Sequence, residues 1–312
     1  MRSIPYCDSS EECIRRRKGY SRAVRSYLHP GEQSRGALYG MSQKKPKLGQ
    51  NFLTDPRARQ RIVEALGDIS SSTVLEIGPG RGALTDLLAT RAQNLIAVEL
   101  DRALAPRLTE IWKSAGHVAI LQADILELDL TKARALTGTA GNALLVVVGN
   151  LPYYITSDIL LHLFAQAAAI SRAVVMVQEE VADRLAATWG TSAYGLLSAT
   201  AQMHGSVKKL FTLPPEAFTP APGVSSAVVR LDMHPRFEEL QVERTAFMRF
   251  LQVCFRQKRK TLVNNLKNAS MAELVDIQAA IEATGLSPAV RAEAVSLEAM
   301  ALIYRRLKSK DA

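Results

Sequence analysis

The sequence predicts an α/β fold, in which helices cover both faces of a parallel sheet, followed by a small all-helical domain. The first observation is an alternation that begins near residue 55. Short β-branched runs ("TVLEIG", "LIAVEL", "HVAILQAD", "ALLVVVG") are separated by amphipathic helical stretches ("ALTDLLATR", "RALAPRLTEIWKS", "SDILLHLFAQA"). The second is that strand-like runs stop after about Glu239. With 312 residues, the chain has room for a sheet domain at 41–239 and a helical domain at 240–312.

The first 40 residues differ from the rest of the chain. The stretch "EECIRRRKGYSRAVRSYLHPGEQSRGALYG" is polar, rich in arginine and without apolar periodicity, which indicates disorder. An organellar targeting peptide is one explanation, although Asp8, Glu11 and Glu12 do not fit an acid-poor transit peptide. A start codon assigned too far upstream is the other, since Met41 follows directly. We expect no catalytic role for residues 1–40.

Composition narrows the class of protein. A net charge of +9 and a pI of 9.6 favour an anionic partner such as nucleic acid. The 3 cysteines lack metal-ligand spacing, and so few in a chain of this length indicate a reducing compartment. No apolar run approaches the roughly 20 residues that a membrane helix needs. We therefore expect a cytoplasmic monomer that binds neither a metal nor a membrane.

The first helix of the sheet domain is predicted over "DPRARQRIVEAL". Asp55 is a good N-cap residue, and Pro56 suits the first helical position. Ligands of parallel sheets bind at the carboxyl ends of the strands. The residues that directly follow each predicted strand are therefore the candidates for function.

A glycine-rich turn follows the first of these strands. In "EIGPGRGALT", Glu76 precedes Gly78, Gly80 and Gly82. Glycines let the backbone approach a ligand closely and direct N–H groups at it, although a tight strand-to-helix turn is the alternative. A nicotinamide site needs G-x-G-x-x-G, and here the third glycine comes one residue early. The acidic Glu76 beside the turn would repel the anionic pyrophosphate of a dinucleotide. S-adenosylmethionine has no pyrophosphate and therefore suits this turn better.

Acidic residues follow the next two strands. Glu99 stands 21 positions after the first glycine (99 − 78 = 21), where a carboxylate can accept both hydroxyls of an adenosine ribose. Asp124 follows the third strand and can bond an adenine amino group, while Ile125 packs on the ring. Asp124 alone would be read as a helix cap. Three such residues in order at successive strand ends favour an adenosine-containing cofactor, which NAD and S-adenosylmethionine both are. The glycine turn favours the second, and with it a Rossmann-like, S-adenosylmethionine-dependent methyltransferase sheet.

The fourth strand ends in "GNLPYYI". The side-chain carbonyl of Asn150 and the backbone carbonyl of Leu151 are predicted to accept from the two N–H bonds of an adenine N6 amine, which favours its turn toward sp³ geometry. Pro152 stiffens the turn and has no N–H to compete. Tyr153 offers a face on which the base stacks. A strand-terminating turn with covering tyrosines is the alternative.

A cationic run lies in the predicted helical domain. "RQKRK" contains Arg256, Lys258, Arg259 and Lys260 within five positions. Such residues bind phosphates without selecting a base. A solvated helix end is the usual explanation of a charge run. Beside a site that acts on a base, binding to the RNA backbone is the better interpretation, with an unpaired end or loop as target.

The chain from about Pro46 to Leu307 resembles the KsgA/RsmA family of small-subunit ribosomal RNA adenine N6,N6-dimethyltransferases. Their relatives include the Erm resistance methylases and mitochondrial transcription factor B. The motifs that carry the resemblance, in order, are "KLGQNFL", "LEIGPGRGALT", "VELD", "AD", "GNLPYYI", "VQEEVADRL", "YGLLS", "FTPAPGVSSAVV", "FRQKRKTLVNNL" and "RAEAVSLEAM".

The resemblance implies residue roles and a reaction. Asn51 and Leu53 would hold the methionine end of the cofactor with Gly78, and Phe218 would clamp the target base opposite Tyr153. Glu99 would bind the ribose, Asp124 the adenine, and Asn150 both cofactor and target amine. The implied reaction places two methyl groups on each of two adjacent adenosines near the 3′ end of the RNA. The implied partner is the pre-30S particle.

One departure and several alternatives remain. Where the family often has lysine and then valine-aspartate-serine, this chain has Gly223-Val224-Ser225-Ser226, which removes a basic and an acidic group beside the substrate channel. A non-catalytic assembly or transcription factor is disfavoured by the intact glycine turn and "NLPYY". An Erm-like enzyme acting on large-subunit RNA is disfavoured by "FRQKRKTLVNNL". A DNA N6-adenine methylase would more often carry Asp-Pro-Pro-Tyr.

Overall fold

The structure is a computed structural model that describes residues 50–133 and 144–309. The predicted extension at 1–40 and the "KLG" of "KLGQNFL" lie outside the described residues. Within the described part of the chain, no helix combines the length and the apolar composition needed to cross a bilayer.

Seven strands form one mixed sheet, and two short strands form a separate ribbon. The strands in chain order are β1 (Phe52–Leu53), β2 (Thr73–Ile77), β3 (Asn94–Glu99), β4 (Val118–Gln122), β5 (Leu145–Asn150), β6 (Ile170–Gln178), β7 (Gly205–Leu213), β8 (Phe218–Thr219) and β9 (Ser226–Met233). The sheet has the order β4-β3-β2-β5-β6-β9-β7, and β1 pairs with β8. The four predicted strands are β2, β3, β4 and β5, so these predictions are confirmed.

The helices alternate with the first strands and then follow one another. Their bounds are α1 (Pro56–Ala65), α2 (Thr85–Ala89), α3 (Leu104–Trp112), α4 (Leu130–Ala133), α5 (Thr156–Ala165), α6 (Glu179–Ala186), α7 (Leu196–His204), α8 (Arg244–Cys254), α9 (Leu262–Asn268), α10 (Leu274–Glu282) and α11 (Leu297–Lys308). The N-cap prediction is confirmed, because the Asp55 carboxylate accepts from the N–H groups of Arg57 at 2.8 Å and Ala58 at 3.2 Å.

The sheet is not entirely parallel, which the strand-and-helix alternation did not indicate. β2, β3, β4, β5 and β6 run parallel, whereas β9 pairs antiparallel with both β6 and β7. No crossover helix separates β7 from β9 among residues 214–225, and strands joined without a crossover pair antiparallel. The connection between β7 and β9 contains β8, which pairs with β1 to form the separate two-stranded ribbon.

Two apolar layers cover the sheet, because successive side chains of a strand point to opposite faces. Leu75 of β2 and Val147 of β5 belong to one buried cluster, which includes α5. Val74 and Val146, their neighbours in sequence, belong to the other, which includes α1. With both faces covered, polar groups of the sheet reach a ligand only at the strand ends.

Residues from Arg244 to Ser309 form only helices and connections, as predicted. Their core, however, extends across the expected boundary at Glu239. Ala187, Tyr194, Ala199 and Met203 pack in the same buried cluster as α8–α11. The domain boundary at Glu239 stays a prediction. The sheet region before it and the helical region after it share this hydrophobic core.

Candidate active site

A pocket of about 330 Å³ lies at the carboxyl ends of β2, β3, β4 and β5. This volume is in the range of small-molecule sites. The predicted residues that line it come from four strand ends and the segment before α1; they are Asn51, Leu53, Gly78, Gly80, Glu99, Asp124, Ile125, Asn150, Leu151, Pro152 and Tyr153. The structure therefore brings together every predicted pocket residue except Phe218. The individual roles assigned to them stay predictions.

The glycine-rich turn is bonded to the neighbouring strand. The Gly78 N–H donates to the Val98 carbonyl at 2.9 Å, and the Gly80 N–H donates to Glu99 Oε2 at 2.9 Å. Gly80 has φ +59°, and a Cβ there would lie 3.1 Å from the Phe52 ring. Both the backbone conformation and the close approach therefore require glycine at position 80.

The Glu99 carboxylate is fixed by backbone donors. Its Oε2 accepts from Gly80 and its Oε1 accepts from the Asp101 N–H at 2.8 Å, while the residue is only 5% exposed. A carboxylate has about four acceptor positions, so each oxygen retains one after these bonds. Glu99 lines the pocket and can therefore accept two further hydrogen bonds, as a vicinal diol would supply.

Asp124 caps a short helix and also lines the pocket. Its Oδ1 accepts from the Leu126 N–H at 3.1 Å, which caps the short 3₁₀ helix Ile125–Glu127. It also lines the pocket, beside the buried side chain of Ile125. The capping bond to the Leu126 N–H holds the carboxylate at the pocket wall, where it could also bind a ligand.

Glu76 lines the pocket as well, in an unusual protonation state. Burial, together with the negative charges of Asp86 and Glu99, raises the pKa of its carboxyl to about 8. The Thr85 hydroxyl donates to Glu76 Oε2 at 2.7 Å and partly offsets this rise. At neutral pH the group is therefore mostly protonated in the free protein.

The Asn150 amide is oriented by the main chain of a distant segment. Its Nδ2 donates to the Asn51 backbone carbonyl at 2.9 Å. Because only the NH₂ group can donate, this bond also fixes which way the amide faces. The side-chain carbonyl of Asn150 is thereby the atom available to a ligand in the pocket.

The end of β5 lies close to β2. A Cβ at Gly149 would lie 2.7 Å from the Ile77 carbonyl oxygen, so a larger residue would push the strands apart. The next residues continue the sheet, since the Leu151 N–H donates to the Met176 carbonyl at 3.0 Å. Glycine at 149 thus lets Asn150 lie directly beside the glycine-rich turn.

Tyr153 is held by its hydroxyl. This group lies 2.6 Å from Ser226 Oγ, at the buried start of β9. The Pro152 carbonyl accepts from Thr156 Oγ1 at 2.9 Å, which connects the turn to α5. The half-buried Tyr153 ring therefore has a fixed position at the pocket wall.

Phe218 is buried in the β1–β8 ribbon. The residue is 2% exposed and packs in the cluster that includes Leu53, its partner in the β1–β8 ribbon. Within the described residues it is not part of the pocket lining. Its role as a clamp opposite Tyr153 stays a prediction. An aromatic ring in a two-stranded ribbon gains more from burial than from exposure at a pocket rim, which explains why Phe218 is buried.

The four predicted RNA-binding cations lie in the connection between α8 and α9. Arg256, Lys258, Arg259 and Lys260 are all exposed. Lys258 Nζ donates to the Ser192 backbone carbonyl. None of these four side chains lines the pocket, so the structure separates the cationic loop from the site where the polar groups converge.

Sequence reasoning missed the groups that hold the site together. The Asn51 backbone carbonyl was invisible to it, since every residue has one. Ser226, bonded to Tyr153, was noted only as part of the run after "FTPAP". That run follows Phe218 and two prolines in the sequence. The one signal that could have indicated Ser226 is that it comes shortly after Phe218, a residue predicted to contact the target base.

Comparison with known proteins agrees with this geometry. Residues 41–309 match the family described as ribosomal RNA adenine dimethylase. Proteins named ribosomal RNA small subunit methyltransferase A are similar in Acidobacterium capsulatum (55% identical over 86% of this chain and 92% of the relative) and in Koribacter versatilis (53% identical over 85% and 95%).

Two solved structures share the fold. A dimethyladenosine transferase from Plasmodium falciparum has a TM-score of 0.71 at 22% identity, over 83% of this chain and 98% of that one. The 23S rRNA methyltransferase ErmE has a TM-score of 0.64 at 25% identity, over 83% and 100%. The sheet with its helical C-terminal region is thus a Rossmann-like methyltransferase fold, and the chain belongs to the ribosomal RNA adenine dimethylase family.

Proposed function

We propose that this protein transfers methyl groups from S-adenosyl-L-methionine to N6 of two adjacent adenosines near the 3′ end of small-subunit ribosomal RNA, two methyl groups to each. The relatives at 55% and 53% identity, both named for the small subunit, support this substrate. The observation that carries the proposal is the bond from Asn150 Nδ2 to the Asn51 carbonyl, which leaves the amide oxygen of this pocket-lining residue as the acceptor.

The pocket suits a cationic adenosine cofactor. Besides the protonated Glu76, three acidic side chains line it, those of Asp86, Glu99 and Asp124, against two arginines. This balance favours a sulfonium and disfavours a pyrophosphate. Glu99 would accept from the ribose hydroxyls, Asp124 would bond the adenine amine, and Ile125 would pack on the ring. The bound cofactor supplies an electrophilic methyl group.

The chain's own groups prepare the amine. The Asn150 side-chain carbonyl and the Leu151 backbone carbonyl would accept from its two N–H bonds and concentrate its lone pair toward the methyl group. No strong base is required, because a methylated ammonium loses its proton readily. Asn150 would act through an amide that is already oriented, so little reorganisation accompanies the reaction.

The RNA would be bound by dispersed contacts. The Tyr153 ring would support the extruded adenine, and the cationic loop would contact phosphates. We extend the proposal to a monomer that acts on the pre-30S particle in the cytoplasm. Base selection would then lie in the pocket, and most of the affinity in the loop.

The test is mass spectrometry of ribosomal RNA from cells with and without the gene for this protein. We expect N6,N6-dimethyladenosine near the 3′ end of small-subunit RNA to disappear without it and to return with the parental gene but not with Asn150→Ala. Loss of a methyl group from large-subunit RNA instead would support the Erm-like alternative. Unchanged methylation of both RNAs would leave the non-catalytic assembly factor as the explanation.

A further inference from the structure

An exposed tryptophan lies next to the cationic loop. Trp189 is 57% exposed and occupies a tight turn between α6 and α7, in which the Thr191 N–H donates to the Thr188 carbonyl at 3.3 Å. The Thr191 hydroxyl donates to the same carbonyl at 2.7 Å. The Gly190 N–H donates to the Glu293 carbonyl at 2.7 Å, which ties the turn to the helical region. Trp189 is therefore presented by a backbone of fixed shape.

Two contacts join this turn to the cationic loop. Lys258 Nζ donates to the Ser192 carbonyl, and the buried Tyr194 ring makes an edge contact with Phe255 at 5.8 Å between centroids. Trp189 is three residues from Ser192, and consecutive Cα atoms are about 3.8 Å apart, so their Cα atoms are at most about 11 Å apart. Trp189 and Lys258 thus belong to neighbouring parts of the protein surface.

The shape of the cationic loop is also fixed. The Asn265 side chain, 3% exposed, lies beneath it. Its Nδ2 donates to the carbonyls of Cys254 at 2.9 Å and Gln257 at 3.2 Å, and its Oδ1 accepts from the Gln257 N–H at 3.1 Å. The cations therefore extend from an ordered loop, and Lys258 keeps two of its three donors after bonding Ser192.

The chemistry of this surface favours one kind of partner. The stretches "TWGTSA" (188–193) and "FRQKRKT" (255–261) contain no acidic residue. An aromatic face beside such cations fits a polyanion that carries π-faces, since bases stack on aromatic rings with little dependence on sequence. A protein partner would need carboxylates in place of phosphates, and the comparison of transcript with assembled particle below distinguishes the two.

We propose that Trp189 and the cationic loop form one RNA-binding surface, on which an unpaired base stacks against the Trp189 indole while adjoining phosphates contact the loop. The inference rests on the proposed function, because it assigns a second base contact to the same RNA. It differs from the pocket in kind, since this base is bound and not modified.

The binding test uses Trp189→Ala, Trp189→Phe and the control Ile111→Ala, which removes a 64% exposed apolar side chain of α3. The probe is an in vitro transcript of the 3′-terminal segment of small-subunit ribosomal RNA, titrated by filter retention at several salt concentrations. We expect Trp189→Ala to weaken binding about 5- to 140-fold at every salt concentration, with an unchanged log–log slope, because no phosphate contact is lost. Trp189→Phe should retain most of the affinity, and Ile111→Ala all of it.

A second measurement reads the stacking directly. The chain has 2 tryptophans, so Trp112→Phe leaves Trp189 as the only one. In this variant the same transcript should quench the tryptophan emission, whereas a fully paired RNA of equal length should bind with much less quenching. Emission that does not change on binding the transcript would contradict the stacking.

The inference is overturned if Trp189→Ala binds the transcript like the parent while the parent methylates small-subunit RNA. It is also overturned if Trp189→Ala weakens binding to assembled small-subunit particles but not to the transcript, since the surface would then contact a protein. Failure of the proposed function is a separate result: the parent protein would not methylate small-subunit RNA at all.

Discussion

The pocket and the cationic loop are built in opposite ways. The pocket assembles residues between Gln50 and Met176, and its polar side chains are fixed by backbone groups such as the Gly80 N–H and the Asn51 carbonyl. The loop takes its cations from five consecutive positions, and all four are exposed. One region is non-local and mostly buried, and the other is local and mostly in water.

This difference determines how each region should respond to substitution. When a buried polar group is removed, no water takes its place, so its partners lose a hydrogen bond in a low-dielectric site and the free-energy cost is large. An exposed cation is screened by salt and assisted by neighbours of the same charge. We therefore expect large effects of single substitutions in the pocket and graded effects in the loop.

The largest effect is expected for Asn150→Ala. The proposed amine contact is stronger in the transition state than in the ground state, so single-turnover methylation at saturating cofactor should slow about 10²–10³-fold, by analogy with the loss of an oxyanion-hole donor. RNA affinity by filter retention should hardly change, because it rests on phosphate contacts.

Tyr153→Ala and Tyr153→Phe provide the matched comparison. The alanine variant should bind RNA more weakly, because it lacks the face that supports the base. The phenylalanine variant, which loses only the bond to Ser226, should retain most of the affinity. Parental methylation by Asn150→Ala at saturating cofactor would mean that "NLPYY" is only a strand-terminating turn.

A smaller effect is expected for Glu99→Ala. The loss of a charged acceptor for the ribose diol costs about 1.5–3 kcal/mol. The dissociation constant for S-adenosylmethionine, measured by calorimetry, should therefore rise about 12- to 140-fold. The control is Glu110→Ala, an exposed carboxylate of α3. A parental dissociation constant for Glu99→Ala would refute the ribose assignment, provided that the variant unfolds at a similar temperature.

Glu76→Gln tests whether burial in the pocket raises the pKa of Glu76, through the dependence of stability on pH. The folded-state pKa of about 8 lies above the ordinary glutamate value of 4.5. Between these values the unfolded state loses its proton first, so stability falls as pH rises, by at most about 1.4 kcal/mol per pH unit. Glutamine does not ionise, so the stability of the Glu76→Gln variant should not fall in this way. In thermal unfolding, the melting temperature of the variant relative to the parent should rise from pH 5 to pH 8. An advantage independent of pH would mean that Glu76 titrates normally.

The smallest effect is expected for Arg259→Ala. One lost phosphate contact should reduce the log–log salt slope of RNA binding by about one, and affinity near physiological salt by about fivefold. Cofactor binding should not change. Lys113→Ala, which changes an exposed lysine directly after α3, is the control. If Arg259→Ala leaves the slope unaltered, the loop is a solvated helix end, and the contrast between the two regions disappears.

Much of the fold and of the pocket follows from local sequence. The β-branched runs predict β2 to β5, and residues directly after them lie in the pocket because parallel strands end at one edge. The antiparallel β9 was not foreseen, since pairing direction depends on the connection and not on the strand.

The parts that sequence could not predict are contacts between distant segments. The bond between Asn150 and the Asn51 carbonyl joins positions 99 residues apart and uses a group common to all residues. The burial of Phe218 depends on its pairing with Leu53 in a ribbon of four residues, too short to leave a periodic signal. The exposure of Trp189 is equally absent from its sequence context, which reads as an ordinary turn.

The hydrophobic core shared by the two regions has a consequence for biosynthesis. The last strand of the sheet ends at Met233, whereas the cluster that buries Tyr194 and Met203 includes Leu307. These positions are 74 residues apart (307 − 233 = 74), which takes the ribosome roughly 4–15 s to translate. During this interval the nascent chain has a complete sheet beside an apolar surface without its cover, which is the form in which chaperones and misfolding compete for it.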